Sequence, residues 1–203
     1  VAGRPRNEQA RRDILRTAAD LASVDGLDGL TLGRLSTTLG LSKSGLFGYF
    51  GSKEELQLAT VRRATEVILD EVITPALRIP PGVERVRALC ARWLDYSRTR
   101  VFPGGCFFFA VMAEFDARPG PLREALAEGS RAWTGLITSS IAEAVELGEL
   151  AEDTDPAQLA FELIAFMENA NSVSLLQDDA DAYRRAERAI GNRLGGRRSV
   201  ITD

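Results

Sequence analysis

Residues 30–56 read LTLGRLSTTLGLSKSGLFGYFGSKEEL, and the punctuation of this stretch decides the fold. Thr31 is placed to cap a short helix over Leu32–Leu39 that stops at Gly40, and Ser42 to cap a second over residues 43–50 that stops at Gly51. Between them, Gly40 can take the positive φ a tight turn needs, Leu41 is expected to anchor inward, and Ser42 opens the next helix. Ser52-Lys53-Glu54-Glu55 then forms a capping box, in which the Ser52 hydroxyl and the Glu55 carboxylate can satisfy orphan amides at the start of a longer helix. Leu35, Leu39, Leu41, Leu46 and Phe50 are spaced to hold the two short helices against the one before them. Three short helices with this turn match a helix-turn-helix, whose second helix can enter a DNA major groove.

The rest of the chain reads as helix nearly throughout. Ile14, Ala18, Leu21 and Ala22 recur at helical spacing, and Asp25-Gly26 is a stop, so a first helix is expected over residues 8–24. The fourth helix is expected to continue to about Ile73, before Pro75. Beyond Pro80-Pro81, helical faces follow through Val86–Leu94, after Pro103-Gly104-Gly105, and along Leu122–Val145 for about seven turns. Asp155-Pro156, a cap followed by proline at the first helical position, opens an eighth helix, and Tyr183, Ala186, Ile190 and Leu194 line a ninth. Gly195-Gly196-Arg197-Arg198 reads as the start of a tail. No run alternates as a strand. The expectation is an all-α protein of about nine helices: an N-terminal unit over residues 1–60 with a basic arm, and a helical bundle over 61–203.

The 203 residues are 45% hydrophobic and 27% charged, as in ordinary soluble proteins. There is no histidine, which removes Ser-His-Asp and Cys-His nucleophile systems, HExxH zinc sites and a histidine pH switch. Cys90 and Cys106 are too few and too far apart for a CxxC motif or a cysteine zinc site, and read as buried reduced thiols. Neither a catalytic residue, a metal nor a cofactor is expected. The polar, basic start VAGRPRNEQARR argues against a secretory signal, and no apolar stretch reaches the roughly 20 residues that span a bilayer. A cytoplasmic protein with no membrane partner is expected.

A net charge of -4 disfavours a phosphate-rich partner until the charges are placed. Residues 1–60 carry eight Lys/Arg against seven Asp/Glu, and residues 61–203 carry 17 against 22. Arg4, Arg6, Arg11 and Arg12 cluster in the arm, and residues 29–53 contain Arg34, Lys43 and Lys53 but no acid. The chain has only two lysines, both in that window. Either the coding composition disfavours lysine, or these positions want a compact ammonium.

This N-terminal stretch resembles the DNA-binding domain of TetR-family transcriptional repressors, through its glycine-apolar-Ser-Lys turn, the aromatic end of the second short helix and the Ser-Lys-Glu-Glu-Leu start of the fourth. The resemblance covers residues 8–60, and the rest of the chain shares the family's layout of a helical ligand-binding and dimerisation domain. It implies double-stranded operator DNA as partner, a homodimer on a palindromic site, and a small-molecule effector. By position it assigns DNA contacts to Thr31, Ser42, Lys43, Ser44, Gly45, Phe47, Tyr49 and Lys53, with Arg34 added by its charge. Many members carry histidine or tyrosine where this chain has Gly48, so a backbone contact is expected to be missing and the helix weakened by about 1 kcal/mol. Residues 42–50 contain no Arg, Asn or Gln, so the common bidentate base contacts are absent. Lys43 could reach guanine, Ser44 either kind of base and Phe47 thymine methyls, with dimer spacing and DNA shape supplying the remaining specificity.

In the C-terminal part, Trp93, Tyr96, Phe102, Cys106, Phe107, Phe109, Met112, Phe115, Trp133, Phe166 and Met167, with Asn169, form an aromatic set that is either core or the lining of a pocket for an apolar or aromatic effector. Phe107, Phe108 and Phe109 cannot all face one core, and Glu114, Glu168 and Asn169 are polar candidates to orient a ligand. Phe161, Ile164, Tyr183, Ile190 and Leu194 are the candidates for the dimer interface implied by the family. Two other readings stand beside this one. A DNA-binding regulator could work without a small molecule, and a helical enzyme could use Glu114 or Asp116 as base, although carboxylates two residues apart do not share a helix face.

Overall fold

The computed structural model describes residues 4–195, with side chains from Glu8 onward. The chain is all-α, and the order is α1 (Arg4–Asp25), α2 (Leu32–Leu39), α3 (Lys43–Phe47), α4 (Lys53–Ile68), a π-helical turn (Leu69–Ile73), α5 (Thr74–Leu77), α6 (Val83–Arg98), α7 (Phe107–Phe115), α8 (Pro121–Glu146), α9 (Pro156–Leu176) and α10 (Asp181–Leu194). An isolated bridge pairs Phe102 with Gly105, and no strand forms among the described residues. None of these helices is long and apolar enough to cross a membrane.

Three boundaries differ from the sequence expectation. α1 begins at Arg4, ahead of Glu8, because Pro5 lies in its first turn, where a missing N–H costs nothing. The fourth helix is broken into α4, the π turn and α5. Pro75 supplies the reason: it has no N–H to donate and its ring crowds the carbonyl one turn earlier. α3 ends at Phe47 and not at Phe50, with Gly48 as its C-cap in ordinary right-handed geometry, so Gly48 does not weaken a helix interior. Of the tail expected after α10, Gly196-Arg197-Arg198 lies outside the described residues.

The chain forms two compact units. The first holds residues 1–69 and 100–129, and the second holds 70–99 and 130–203. This division is interleaved, whereas the expected domains meet at residue 60. The segment 100–129 sides with the first unit because it packs on α1. Gly104 N donates to Ser23 Oγ at 3.0 Å, Arg16 donates to the Val101 carbonyl, and the Arg16 guanidinium lies 5.0 Å from the centre of the Phe102 ring. A Cβ on Gly104 would stand 1.9 Å from the Ser23 carbonyl oxygen, so this approach requires glycine. Ala18 and Ala22 of α1, Leu35, Leu46, Phe50, Leu56, Phe102, Phe107 and Val111 fill the core of the first unit.

In the second unit the core is built by Leu89 and Leu94 of α6, Ile137 and Ile141 of α8, Leu163 and Met167 of α9, and Tyr183 and Ile190 of α10. A buried polar cluster ties three of these helices. Ser97 Oγ donates to Asn171 Oδ1 at 2.7 Å and lies 2.8 Å from the Tyr183 hydroxyl, which also accepts from Ser174 Oγ at 3.0 Å. Such hydroxyls are buried at little cost because they satisfy one another.

Candidate nucleic-acid interface

Two N-caps build the exposed face of the helix-turn-helix. Thr31 Oγ1 accepts from Arg34 N at 3.1 Å, starting α2, and Ser42 Oγ accepts from Gly45 N at 3.1 Å, starting α3. Between them Gly40 adopts φ +65°, and Leu41 N donates to the Ser36 carbonyl at 3.0 Å, closing α2 with a left-handed cap. Leu41 itself is 43% exposed and does not anchor the turn. Leu35 and Leu46, fully buried, take that part. Half of the expected capping box forms, Ser52 Oγ accepting from Glu55 N at 3.0 Å, while Glu55 Oε2 reaches one residue past the cap and accepts from Gly51 N at 2.9 Å.

The structure brings most of the sequence-assigned residues onto this surface. Thr31, Arg34, Ser42, Lys43, Ser44 and Gly45 are exposed, and Ser42 Oγ lies 3.2 Å from Ser44 Oγ. Phe47 is 55% exposed, whereas Phe50 is wholly buried with the Arg11 guanidinium 5.3 Å from its ring centre. The two phenylalanines therefore divide between surface and core. Tyr49 is half-buried, its ring 6.3 Å from that of Phe50.

Two of the cations have local partners that the sequence window concealed. Arg34 pairs with Asp25 at 2.5 Å, both partly exposed, and Lys53 Nζ donates to the Asp28 carbonyl at 2.8 Å. An exposed pair of this kind contributes at most about 1 kcal/mol, so Arg34 can leave it for a phosphate at small cost. Gly33 is a member of the surface that sequence reading missed. A Cβ there would lie 3.3 Å from Lys43 Cε and 3.5 Å from Lys43 Nζ, so the absent side chain leaves room for the lysine. A glycine inside a strong helical pattern was the available signal.

The aromatic set divides evenly between the two units, and seven of its twelve members are buried core: Trp93, Tyr96, Phe102, Cys106, Phe107, Phe115 and Met167. Phe109 is exposed and Phe108 stands edge-on to Phe107 at 5.3 Å, so the triplet splits between inside and outside. Met112, Trp133 and Phe166 are half-buried and Asn169 is exposed. Glu114 is occupied by backbone amides in the first unit, and not by a ligand site. Within the second unit an open cavity of about 660 Å³ runs along α8 and the start of α9, lined by Ser130, Thr134, Gly135, Thr138, Asp155 and Ala157 among others and by none of the aromatic set.

The interface candidates also separate. Phe161 is 70% exposed and Ile164 half-buried, but Tyr183, Ile190 and Leu194 are buried inside the single chain and are its core. The apolar stripe of α10 is consumed by α6 and α9 of the same unit, which is why periodicity alone could not assign it to a partner. Cys90 and Cys106 are both buried and in no disulfide.

Two family models match the chain: one described as bacterial regulatory proteins of the tetR family over residues 14–60, and one described as tetracyclin repressor-like, C-terminal domain, over residues 82–190. A TetR transcriptional regulator from Chloroflexus aurantiacus J-10-FL is 25% identical, with 92% of this chain and 95% of that one covered and a TM-score of 0.84. AibR, solved in complex with isovaleryl coenzyme A and operator DNA, is 19% identical over 91% of this chain and 97% of its own, with a TM-score of 0.73. Reduced NemR from E. coli is 22% identical over 90% and 96%, also with a TM-score of 0.73. No curated protein matches the chain.

Proposed function

Because the chain belongs to the TetR family of bacterial transcriptional regulators, we propose that it represses transcription by binding a palindromic operator as a homodimer, and that a small apolar or aromatic effector releases it. The observation that carries the DNA-binding part is the surface on which Thr31, Lys43, Ser44 and Phe47 lie exposed, with Lys43 lodged over Gly33 between the starts of α2 and α3. α3 enters the major groove. Lys43 donates to guanine O6/N7 or phosphate, Ser44 bonds a base edge, Phe47 packs on thymine methyls, and Thr31, Arg34, Tyr49 and Lys53 hold the backbone. With so few base-reading groups, sequence specificity rests on two half-sites held at fixed spacing and on DNA shape.

Phe161 and Ile164 of α9 supply the dimer contact, since a phenylalanine so exposed suits a buried interface. The effector binds in the second unit, where half-buried Trp133 and Phe166 offer aromatic surface that the core has not consumed. AibR, whose fold this chain shares, was solved with both an acyl coenzyme A and operator DNA. The protein performs no catalysis in this scheme and needs no metal or cofactor. Gel shift on the DNA upstream of its own coding region, with and without a panel of lipophilic compounds, tests it. A shift that no compound reverses favours a regulator without a small-molecule effector, a reading supported by the seven aromatic-set residues that are plain core.

A further inference from the structure

The turn between α1 and α2 is held by side chains on all four of its central backbone polar groups. Glu114 Oε1 accepts from Leu27 N at 3.0 Å and Glu114 Oε2 from Asp28 N at 2.9 Å. From the other side, Gln57 Nε2 donates to the Leu27 carbonyl at 2.7 Å, and Lys53 Nζ donates to the Asp28 carbonyl at 2.8 Å. Gly26, at φ +76°, both makes the left-handed turn and leaves space for the acid, because a Cβ there would stand 2.1 Å from Glu114 Oε1. Arg118, one helical turn from Glu114 in sequence, pairs with the Asp28 carboxylate. Glu114 comes from α7 and Lys53 from α4, so the turn links two elements distant in sequence.

A carboxylate suits this position for a chemical reason. Each of the two adjacent N–H groups meets its own oxygen, so the site uses two acceptor atoms, of which a carboxylate has two and an amide one, and charged hydrogen bonds of this kind are about twice as strong as neutral ones. Lys53 keeps two further N–H donors for another acceptor while the third is held by Asp28. A lysine restrained before it meets a phosphate loses less side-chain freedom on binding.

We propose that Glu114 is a positioning residue for DNA binding: by fixing the Leu27-Asp28 turn it holds the Asp28 carbonyl where that carbonyl aims the Lys53 ammonium at the operator backbone. The inference rests on the DNA-binding reading above. It adds a residue of α7 that touches no DNA to the set that determines affinity.

The test is Glu114→Gln in the full chain, which keeps the shape but offers one acceptor and turns an NH2 group toward an N–H. Affinity for the upstream DNA should fall on the order of threefold to tenfold, the loss expected when one long side chain must be ordered on binding. A second readout needs no DNA. The chain has only two lysines, so acylation by an N-hydroxysuccinimide ester, read by peptide mass spectrometry, reports each amine separately. Acylation at Lys53 should speed up severalfold while that at Lys43 stays unchanged. General loosening would raise both rates together, and that result, or an unchanged rate at Lys53, overturns the inference. So does unaltered DNA affinity in the variant when the wild type binds. A wild type that binds no DNA overturns the underlying reading itself. Should the glutamine variant not fold, Glu114→Asp, which retracts the oxygens by one methylene, is judged by the same results.

Discussion

Lys43 extends over Gly33, its Cε 3.3 Å and its Nζ 3.5 Å from where a Cβ at residue 33 would stand. Stability and function should therefore respond in opposite directions to a side chain there. Gly33→Leu removes a glycine from the first turn of α2, a gain below the roughly 1 kcal/mol of a helix interior, yet displaces the lysine from the space between the starts of α2 and α3. Thermal melting should rise or hold while DNA affinity falls about tenfold. Loss of both together would mean that residue 33 acts only through the fold.

Ser42 carries the start of the reading helix. Ser42→Ala removes the acceptor of the Gly45 amide and should cost about 0.5–2 kcal/mol of stability by denaturant unfolding, because α3 has only five residues over which to recover it. DNA binding should weaken further than that stability loss implies, since Ser42 lies on the surface itself.

How far the sequence disclosed this site follows from what kind of signal each residue carries. Caps and turn glycines act locally, so Thr31, Gly40, Ser42 and Ser52 could be read from the chain and stand in those roles in the structure. Charge could not be read the same way. The acid-free window of residues 29–53 is acid-free only along the chain, and in space Asp25 pairs with Arg34 while the Asp28 backbone holds Lys53. Apolar periodicity marks a buried stripe without saying what buries it, which is why Tyr183, Ile190 and Leu194, expected at a dimer interface, lie in the core of the single chain. Glu114 lay beyond reach of any local rule, since its partners are 86 and 87 positions away.

Phe161 and Tyr183 should separate assembly from stability. Phe161→Asp places a charge on an exposed apolar position and should shift sedimentation velocity from dimer to monomer with little change in melting of the monomer. Tyr183→Phe deletes the hydroxyl shared by Ser97 and Ser174 and should cost about 1–3 kcal/mol without altering the oligomeric state.

Burial pushes the Cys90 thiol up to about 12, against an ordinary value of 9.0. The folded chain holds this proton more tightly than the unfolded chain does. Its contribution to stability is thus complete below about pH 9 and is lost as pH rises toward 12. At pH 8 a thiol reagent should leave Cys90 unmodified in the native protein and modify it at once in guanidinium.

An acidic chain that binds DNA through a small basic face must reveal that face in the salt dependence of binding. Anisotropy titrations of the full chain against a labelled duplex from its own upstream region give log K against log salt concentration. If each subunit neutralises roughly three to five phosphates through Arg34, Lys43, Lys53 and the basic arm, a dimer gives a slope of roughly -5 to -9. A slope near zero, or no binding at low salt, would mean that the basic face does not meet phosphate.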